Sequence, residues 1–393
     1  MNELELKYDI LSIQERLKER KAQGVSVVNG CAGMLFDESG ELVKYDRVIT
    51  YIKKNLDRHL GYPATVGSSQ FAEGALKWLF KDFYKRINKL HHVEFVTTIG
   101  GTGALSACFH DFSDDGAIAI SDICWPNYFT VAEENKVPIQ TYNMFIINKS
   151  DLVAMKNLLD DLVQEYKKVL LVINDPCHNP TGYCMSETEY ITMMNIIESY
   201  NGKVSVLFDV AYIDYSPFPY HLFKLLSRKK YSFDTFIAFS CSKSFGLYGA
   251  RVGGLAMILD HSNKSIVQKY KIYARGTISC PNGAVAGPIE KFFESHTATK
   301  LVWSEIKRYQ VLIAKRAEKF LKCLDDLHIR YVPYSAGFFM IFKTEDAYEM
   351  CKKLEELDIY FAPIDKTHIR VALSGMTLKE IDLFKERMLK LNA

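Results

Sequence analysis

The sequence predicts an α/β protein with an open sheet whose strands hand their functional residues to one edge. Two observations predict it. Five apolar runs rich in β-branched and aromatic residues end at Ile99, Ser121, Ile173, Phe208 and Phe239, and each is followed at once by a polar residue or a glycine turn. Towards the chain ends the pattern changes. Residues 8–22 have the spacing of an amphipathic helix, residues 303–326 read as one long helix, and beyond it strands and helices alternate in a smaller unit.

Composition narrows the class. With 393 residues, 48% hydrophobic and 24% charged, the chain is an ordinary globular protein with a large core and two or three domains. The net charge of +2 comes from 49 basic and 47 acidic residues without a long run of one sign. That excludes nucleic acid and anionic membranes as expected partners and leaves small molecules. The nine cysteines are scattered without a Cys-x-x-Cys pair, which argues against a disulfide framework or a zinc site and suits a reducing compartment. The acidic start Met1–Lys7 has no apolar signal core, and no apolar stretch approaches the roughly 18 residues that span a bilayer, so a cytoplasmic protein is expected.

In chain order, Val-Ser-Val-Val-Asn-Gly-Cys-Ala-Gly at 25–33 is a short strand ending in glycines, and 60–67 is a loop by its Gly and Pro content, with Tyr62 in it. Residues 92–106 give a strand, a glycine turn and a helix start. Backbone N–H groups bared by Gly101, together with the helix dipole, suit that turn to a phosphate. Gly101-x-Gly103 followed by the strand Ala117–Ile120 and Asp122 also imitates a dinucleotide fingerprint, although Ser106 stands where its third glycine belongs. Trp125 and Tyr128 follow the next strand. After the strand that begins at Lys168, Asn179-Pro180-Thr181-Gly182 forms a stiff turn in which Pro180 holds Asn179 extended. Asp209 ends another core strand, three residues before Tyr212; it reads as a turn cap, or as a carboxylate that keeps a cofactor's ring nitrogen protonated.

The most informative stretch is 234–254. The apolar run Thr235–Phe239 delivers a turn with Ser240, Ser242 and Lys243, then Gly246, Gly249 and Arg251. A lysine held at a core strand end between two hydroxyls suits an amine that must form an imine with an aldehyde. Arg251 offers a planar, fixed charge for a phosphate. Further on, Arg275 and Ser279 lie in the segment 273–282, and Arg370 sits just inside the last strand, where it needs a buried partner.

Ser-Cys-Ser-Lys-Ser-Phe-Gly-Leu-Tyr-Gly-Ala-Arg-Val-Gly at 240–253 resembles the lysine motif of class I pyridoxal-phosphate aminotransferases, closest to the aspartate and aromatic amino-acid branch. The resemblance runs from about Val28 to Thr377 with its motifs in family order. It implies a fold type I transferase: a mostly parallel central sheet flanked by helices in a large domain at 46–310, and a smaller α/β domain built from 1–45 and 311–393. It implies pyridoxal 5'-phosphate as cofactor, bonded through Lys243, which also carries the substrate proton. Gly101, Thr102, Ser240, Arg251 and the Tyr62 of a neighbouring subunit would hold the phosphate. Trp125 would stack on the ring, Asn179 and Tyr212 would share its hydroxyl, and Asp209 would face its nitrogen. Gly33 would close over the substrate, Arg370 would grip its α-carboxylate, and Arg275 would reach a side-chain carboxylate in the partner's site. Tyr128 stands where histidine is common, Asn174 where histidine is frequent, and Ile278 and Cys280 replace the usual Tyr and Asn.

The expected activity is therefore transamination between an amino acid, aspartate or glutamate, and 2-oxoglutarate, in a homodimer with shared sites. Aromatic amino-acid transamination, and a lyase reaction such as β-elimination on the same cofactor, stay open, because a fold does not fix a reaction type. A ligand-binding regulator on this fold is disfavoured, since no basic helix-turn-helix extension precedes residue 8.

Overall fold

The computed structural model describes residues 10–218, 220–260 and 264–391. The first helix spans Ile10–Ala22; residues 8 and 9 of the expected helix, like the acidic start, lie outside the described residues. Seven strands form the central sheet: β1 (His92–Thr98), β2 (Gly116–Ser121), β3 (Ile139–Tyr142), β4 (Lys168–Asn174), β5 (Val204–Asp209), β6 (Thr235–Ser240) and β7 (Gly253–Leu259). Their order is β1-β7-β6-β5-β4-β2-β3. β7 runs antiparallel to both neighbours and the other pairings are parallel. The carboxyl ends of β1, β2, β4, β5 and β6 consequently meet at one edge, and the motifs singled out above are the turns that leave them.

The near-continuous apolar runs have a plain cause. Helices cover both faces of the sheet, so side chains of both parities are buried. Ala117, Ala119, Val169, Leu171, Val206, Phe208, Ile237 and Phe239 point into one core, while Ile118, Ile120, Leu170, Val172, Leu207, Phe236 and Ala238 point into the core on the opposite face. The edge strand β3, Ile-Gln-Thr-Tyr, is half exposed and carries no such run, which is why the sequence did not announce it.

A third core draws on both chain ends. Ile13, Leu17, Val28 and Cys31 pack with Phe320, Leu324, Phe361 and Phe384. Here β8 (Phe339–Lys343), β9 (Ala362–Pro363) and β10 (His368–Ala372) form an antiparallel sheet in the order β8-β10-β9, and Val28–Asn29 pairs in parallel with Ile359–Tyr360. The long helix is His296–Asp326, starting earlier than the expected 303. It crosses between the cores: Val302 and Ile306 serve the sheet, Phe320 and Leu324 the smaller unit. Between them Arg316, fully buried, donates to Glu38 Oε1 at 2.6 Å, to Phe36 O at 2.9 Å and to Leu373 O and Ser374 O at 3.3 Å. Those bonds pin the segment after Gly33 to the segment after Arg370, so both enter the cleft from a fixed base. Among the described residues no helix is long and apolar enough to cross a membrane.

Candidate active site

Lys243 follows β6 by three residues, in a four-residue helix whose first N–H groups are capped by Ser240: its Oγ accepts from Ser242 N at 3.2 Å. The Lys243 side chain enters a cavity of about 300 Å³ at the sheet edge, where Nζ donates to Gly33 O and lies 4.8 Å from the ring centre of Tyr248 and 5.5 Å from that of Tyr212. Burial, reinforced by the charges of Arg370 and Arg251, brings its ammonium pKa down to about 7. About half of the amine is thus neutral at pH 7, available as a base and nucleophile. Addition of a small aldehyde to Lys243 in cofactor-free protein, trapped with borohydride, should rise with pH and level off just above 7. A plateau only above pH 10 would show that the lysine is solvated.

Asp209 closes the cavity from the end of β5. Its Oδ2 accepts from Tyr128 Oη at 2.7 Å and its Oδ1 from Ala211 N at 3.1 Å, so the residue does cap its turn, and it also lines the cavity. Burial pushes this carboxyl up, opposed by the Tyr128 and Ala211 bonds and the charge of Lys243. A protonated ring nitrogen would supply the charge partner such a site favours. Asn174 braces the same corner: its Nδ2 donates to Asp209 O at 2.8 Å, and its Oδ1 accepts from Asn179 N at 2.6 Å. The two departures from family histidines are therefore hydrogen-bonded parts of the site. Tyr128, which packs edge-on against Trp125 at 5.5 Å, is the group that orients Asp209. Tyr128→Phe should weaken the hold on ionised Asp209 by about 1.5–3 kcal/mol. The pH titration of the bound cofactor's visible absorption reads this directly; an unmoved midpoint would mean that Tyr128 only packs.

On the opposite wall Arg370, from β10, is 2% exposed and lies 4.6 Å over the Phe339 ring. It donates to Cys31 O at 3.3 Å and to Asn179 Oδ1 at 3.5 Å, while its Nε is buried without a partner. Among the described residues no carboxylate contributes to its electrostatic surroundings. A buried guanidinium left with an unmet N–H is a site for a carboxylate from outside the chain. At the other end Arg251 donates to Ser242 Oγ at 3.3 Å and Tyr248 O at 3.1 Å. The helix Gly100–Asp111 points its N-terminus here; Gly100 adopts φ +72°, and a Cβ there would come within 2.8 Å of Arg251 Nη2. With Gly101, Thr102 and Ser240 in the same wall, this end has the donors and the dipole for a phosphate.

Tyr62 and Arg275, expected in a neighbouring subunit's site, do not line the cavity of their own chain. Tyr62 is 95% exposed, and Arg275 lies in the last turn of the helix Lys264–Thr277, where Nη1 donates to Ser279 Oγ at 2.8 Å. Neither lines the cavity, whereas Gly33, Gly101, Thr102, Trp125, Asn179, Tyr212 and Ser240 all do. Tyr248 and Phe339 also line it without having been singled out; Tyr248 belongs to the lysine motif, the only signal that marked it. A second cavity of about 310 Å³ lies against the helix Gly100–Asp111. Its lining among the described residues holds no lysine or arginine and a single carboxylate, Glu134, so the chemistry belongs to the cleft of Lys243.

Residues 31–388 match the model of the family described as aminotransferase class I and II. The chain belongs to this family. It is similar to the aspartate aminotransferase of Pseudomonas aeruginosa, with 27% identity over 264 residues, or 65% of each chain, so the alignment spans just under two thirds of that relative's length. In three dimensions it is similar to an aminotransferase from Anaerococcus prevotii, at a TM-score of 0.88, 22% identity and coverage of 98% of this chain and 96% of that one. It is also similar to an aromatic-amino-acid aminotransferase from Burkholderia pseudomallei covalently bound to pyridoxal phosphate, at a TM-score of 0.81, 19% identity and 97% and 96% coverage. The fold is that of the type I aminotransferases. Pyridoxal phosphate is the family's cofactor, and the donor set of the cleft fits it: an amine for its aldehyde, a carboxylate for its nitrogen and an anion cradle for its phosphate.

Proposed function

We propose that this aminotransferase-family chain transfers an amino group between aspartate or glutamate and 2-oxoglutarate. The observation that carries the reading is the buried Lys243 facing Asp209 and Arg370 in one cleft. When bound, pyridoxal phosphate supplies an electron sink for negative charge developing at the substrate Cα. Arg370 holds the α-carboxylate by paired charge-assisted bonds and so fixes Cα on the Lys243 side. Lys243, in its neutral form, takes the Cα proton and carries it for return. Asp209, oriented by Tyr128, would keep positive charge on the ring nitrogen; Trp125 would stack on the ring, and Asn179 and Tyr212 would share its hydroxyl. Gly101, Thr102, Ser240 and Arg251 hold the phosphate.

We place the division between a large domain, 46–310, and a small one, 1–45 with 311–393; the separate core that joins both chain ends supports it. The assembly we propose is a cytoplasmic homodimer. Its support is that Tyr62 and Arg275 do not line their own cleft: Tyr62 is exposed, and Arg275 lines a shallow cavity with Ala64, Thr65 and Val66. In this reading each reaches the partner's site, Tyr62 to the phosphate and Arg275 to the substrate side chain.

Cycling of the cofactor spectrum by aspartate and then by 2-oxoglutarate tests the activity; a spectrum unmoved by any amino acid would overturn it. Arg275 decides the substrate class, because a second arginine at the side-chain pocket pairs with a dicarboxylate and is left unpaired by an apolar substrate. Arg275→Leu should lower the kcat/KM ratio of aspartate over phenylalanine by roughly one to two orders of magnitude. An unchanged ratio would favour aromatic amino acids, for which the apolar lining by Ile10, Leu105 and Phe339 speaks.

A further inference from the structure

The turn that carries Asn179 is flanked at its base by two cysteines. His178 N donates to Tyr183 O at 2.9 Å and Gly182 N to His178 O at 2.6 Å, so the chain doubles back over residues 178–183. Cys177 and Cys184 are the next residues outward on the two arms. The arms stay close enough there for the backbone of one to meet the side chain of the other. Cys177 N donates to Cys184 Sγ at 3.3 Å, which turns the Cys184 sulfur towards its neighbour. Both thiols are free; Cys177 is buried and Cys184 is partly exposed.

We propose that Cys177 and Cys184 form a reversible oxidation site, a disulfide that closes the Asn179 turn into a ring and lowers turnover. The oxidant is a hydroperoxide. Hydrogen peroxide gives one oxygen to the more accessible Cys184 thiol, leaving a sulfenic acid and one water. The Cys177 sulfur attacks that sulfur, its proton departs with the oxygen as a second water, and the S–S bond forms. Burial pushes the Cys177 thiol up, which makes it a poor first target and leaves Cys184 as the entry point.

The consequence for the cleft follows from distance. Bonded sulfurs lie about 2.05 Å apart, so the link holds the two arms at one fixed separation and takes from the turn its freedom to adjust around Asn179. Asn179 sits inside that ring, bonded to Asn174 on one side and facing Arg370 on the other. A displacement of about 1 Å in a positioned group can cost on the order of 100-fold in rate.

The test uses the full-length, cofactor-loaded protein treated with a small excess of hydrogen peroxide. Digestion after lysine and arginine, without reduction, gives the peptide 169–203, which carries both cysteines and no other; it should be two hydrogens lighter. Turnover should fall by about 100-fold and return with dithiothreitol, and Cys184→Ser should keep the untreated rate and lose the response. Absence of the lighter peptide, a linked protein at full activity, or a Cys184→Ser protein inactivated like the wild type would each overturn the proposal. The peptide mass does not depend on the reaction assigned above, so failure of that reading and failure of the oxidation site are separable.

Discussion

Replacing Lys243 by alanine is expected to reduce transamination by at least about 10,000-fold, because one side chain serves as both the nucleophile and the acid-base group. Among the described residues no second lysine lines the cleft to take over. The protein itself should remain folded. Burial lowers the Lys243 pKa to about 7 from the usual 10.5, so below pH 10.5 the native state disfavours a proton that the unfolded chain holds. That unfavourable contribution is complete below about pH 7 and fades as pH rises to 10.5. Lys243→Ala removes it, and the melting temperature of cofactor-free protein at pH 7 should not fall. Steady-state turnover within tenfold of wild type would exclude Lys243 as the base, and partial rescue by added methylamine would confirm the missing amine as the cause.

Arg370→Leu should lower kcat/KM for every amino-acid substrate by about 100- to 10,000-fold, the equivalent of two charge-assisted bonds of about 1.5–3 kcal/mol each. Two features keep this a statement about binding. Among the described residues Arg370 has no carboxylate partner, so its loss strands no buried anion there, and leucine can still pack on Phe339. Cofactor affinity should stay within a few-fold, since the phosphate end of the cleft is built from other residues. If instead kcat/KM barely moves while cofactor binding collapses, the α-carboxylate lies elsewhere and Arg370 only supports the cleft.

Much of this site could be read from the sequence because its residues sit at strand ends, where a buried apolar run and the polar residue that stops it are neighbours in the chain. Lys243 after β6, Asp209 at the end of β5 and the glycine turn after β1 are of this kind. Period and residue chemistry suffice there. Helix boundaries were less legible: the long helix begins at His296 rather than at the expected 303.

By itself the sequence determined the α/β class, the strand-end motifs and the residue types that suit an aldehyde, a ring nitrogen and a phosphate. Only the tertiary structure decided who touches whom over long separations. Tyr128 reaches Asp209 across 81 positions, Arg370 reaches Asn179 across 191, and Arg316 ties the two chain ends to one helix. Strand order and helix crossing set those pairings, and neither leaves a local trace in composition or period. The same physics places Tyr62 and Arg275 outside the cleft of their own chain: a motif records that a residue is available, while packing decides which site it can reach.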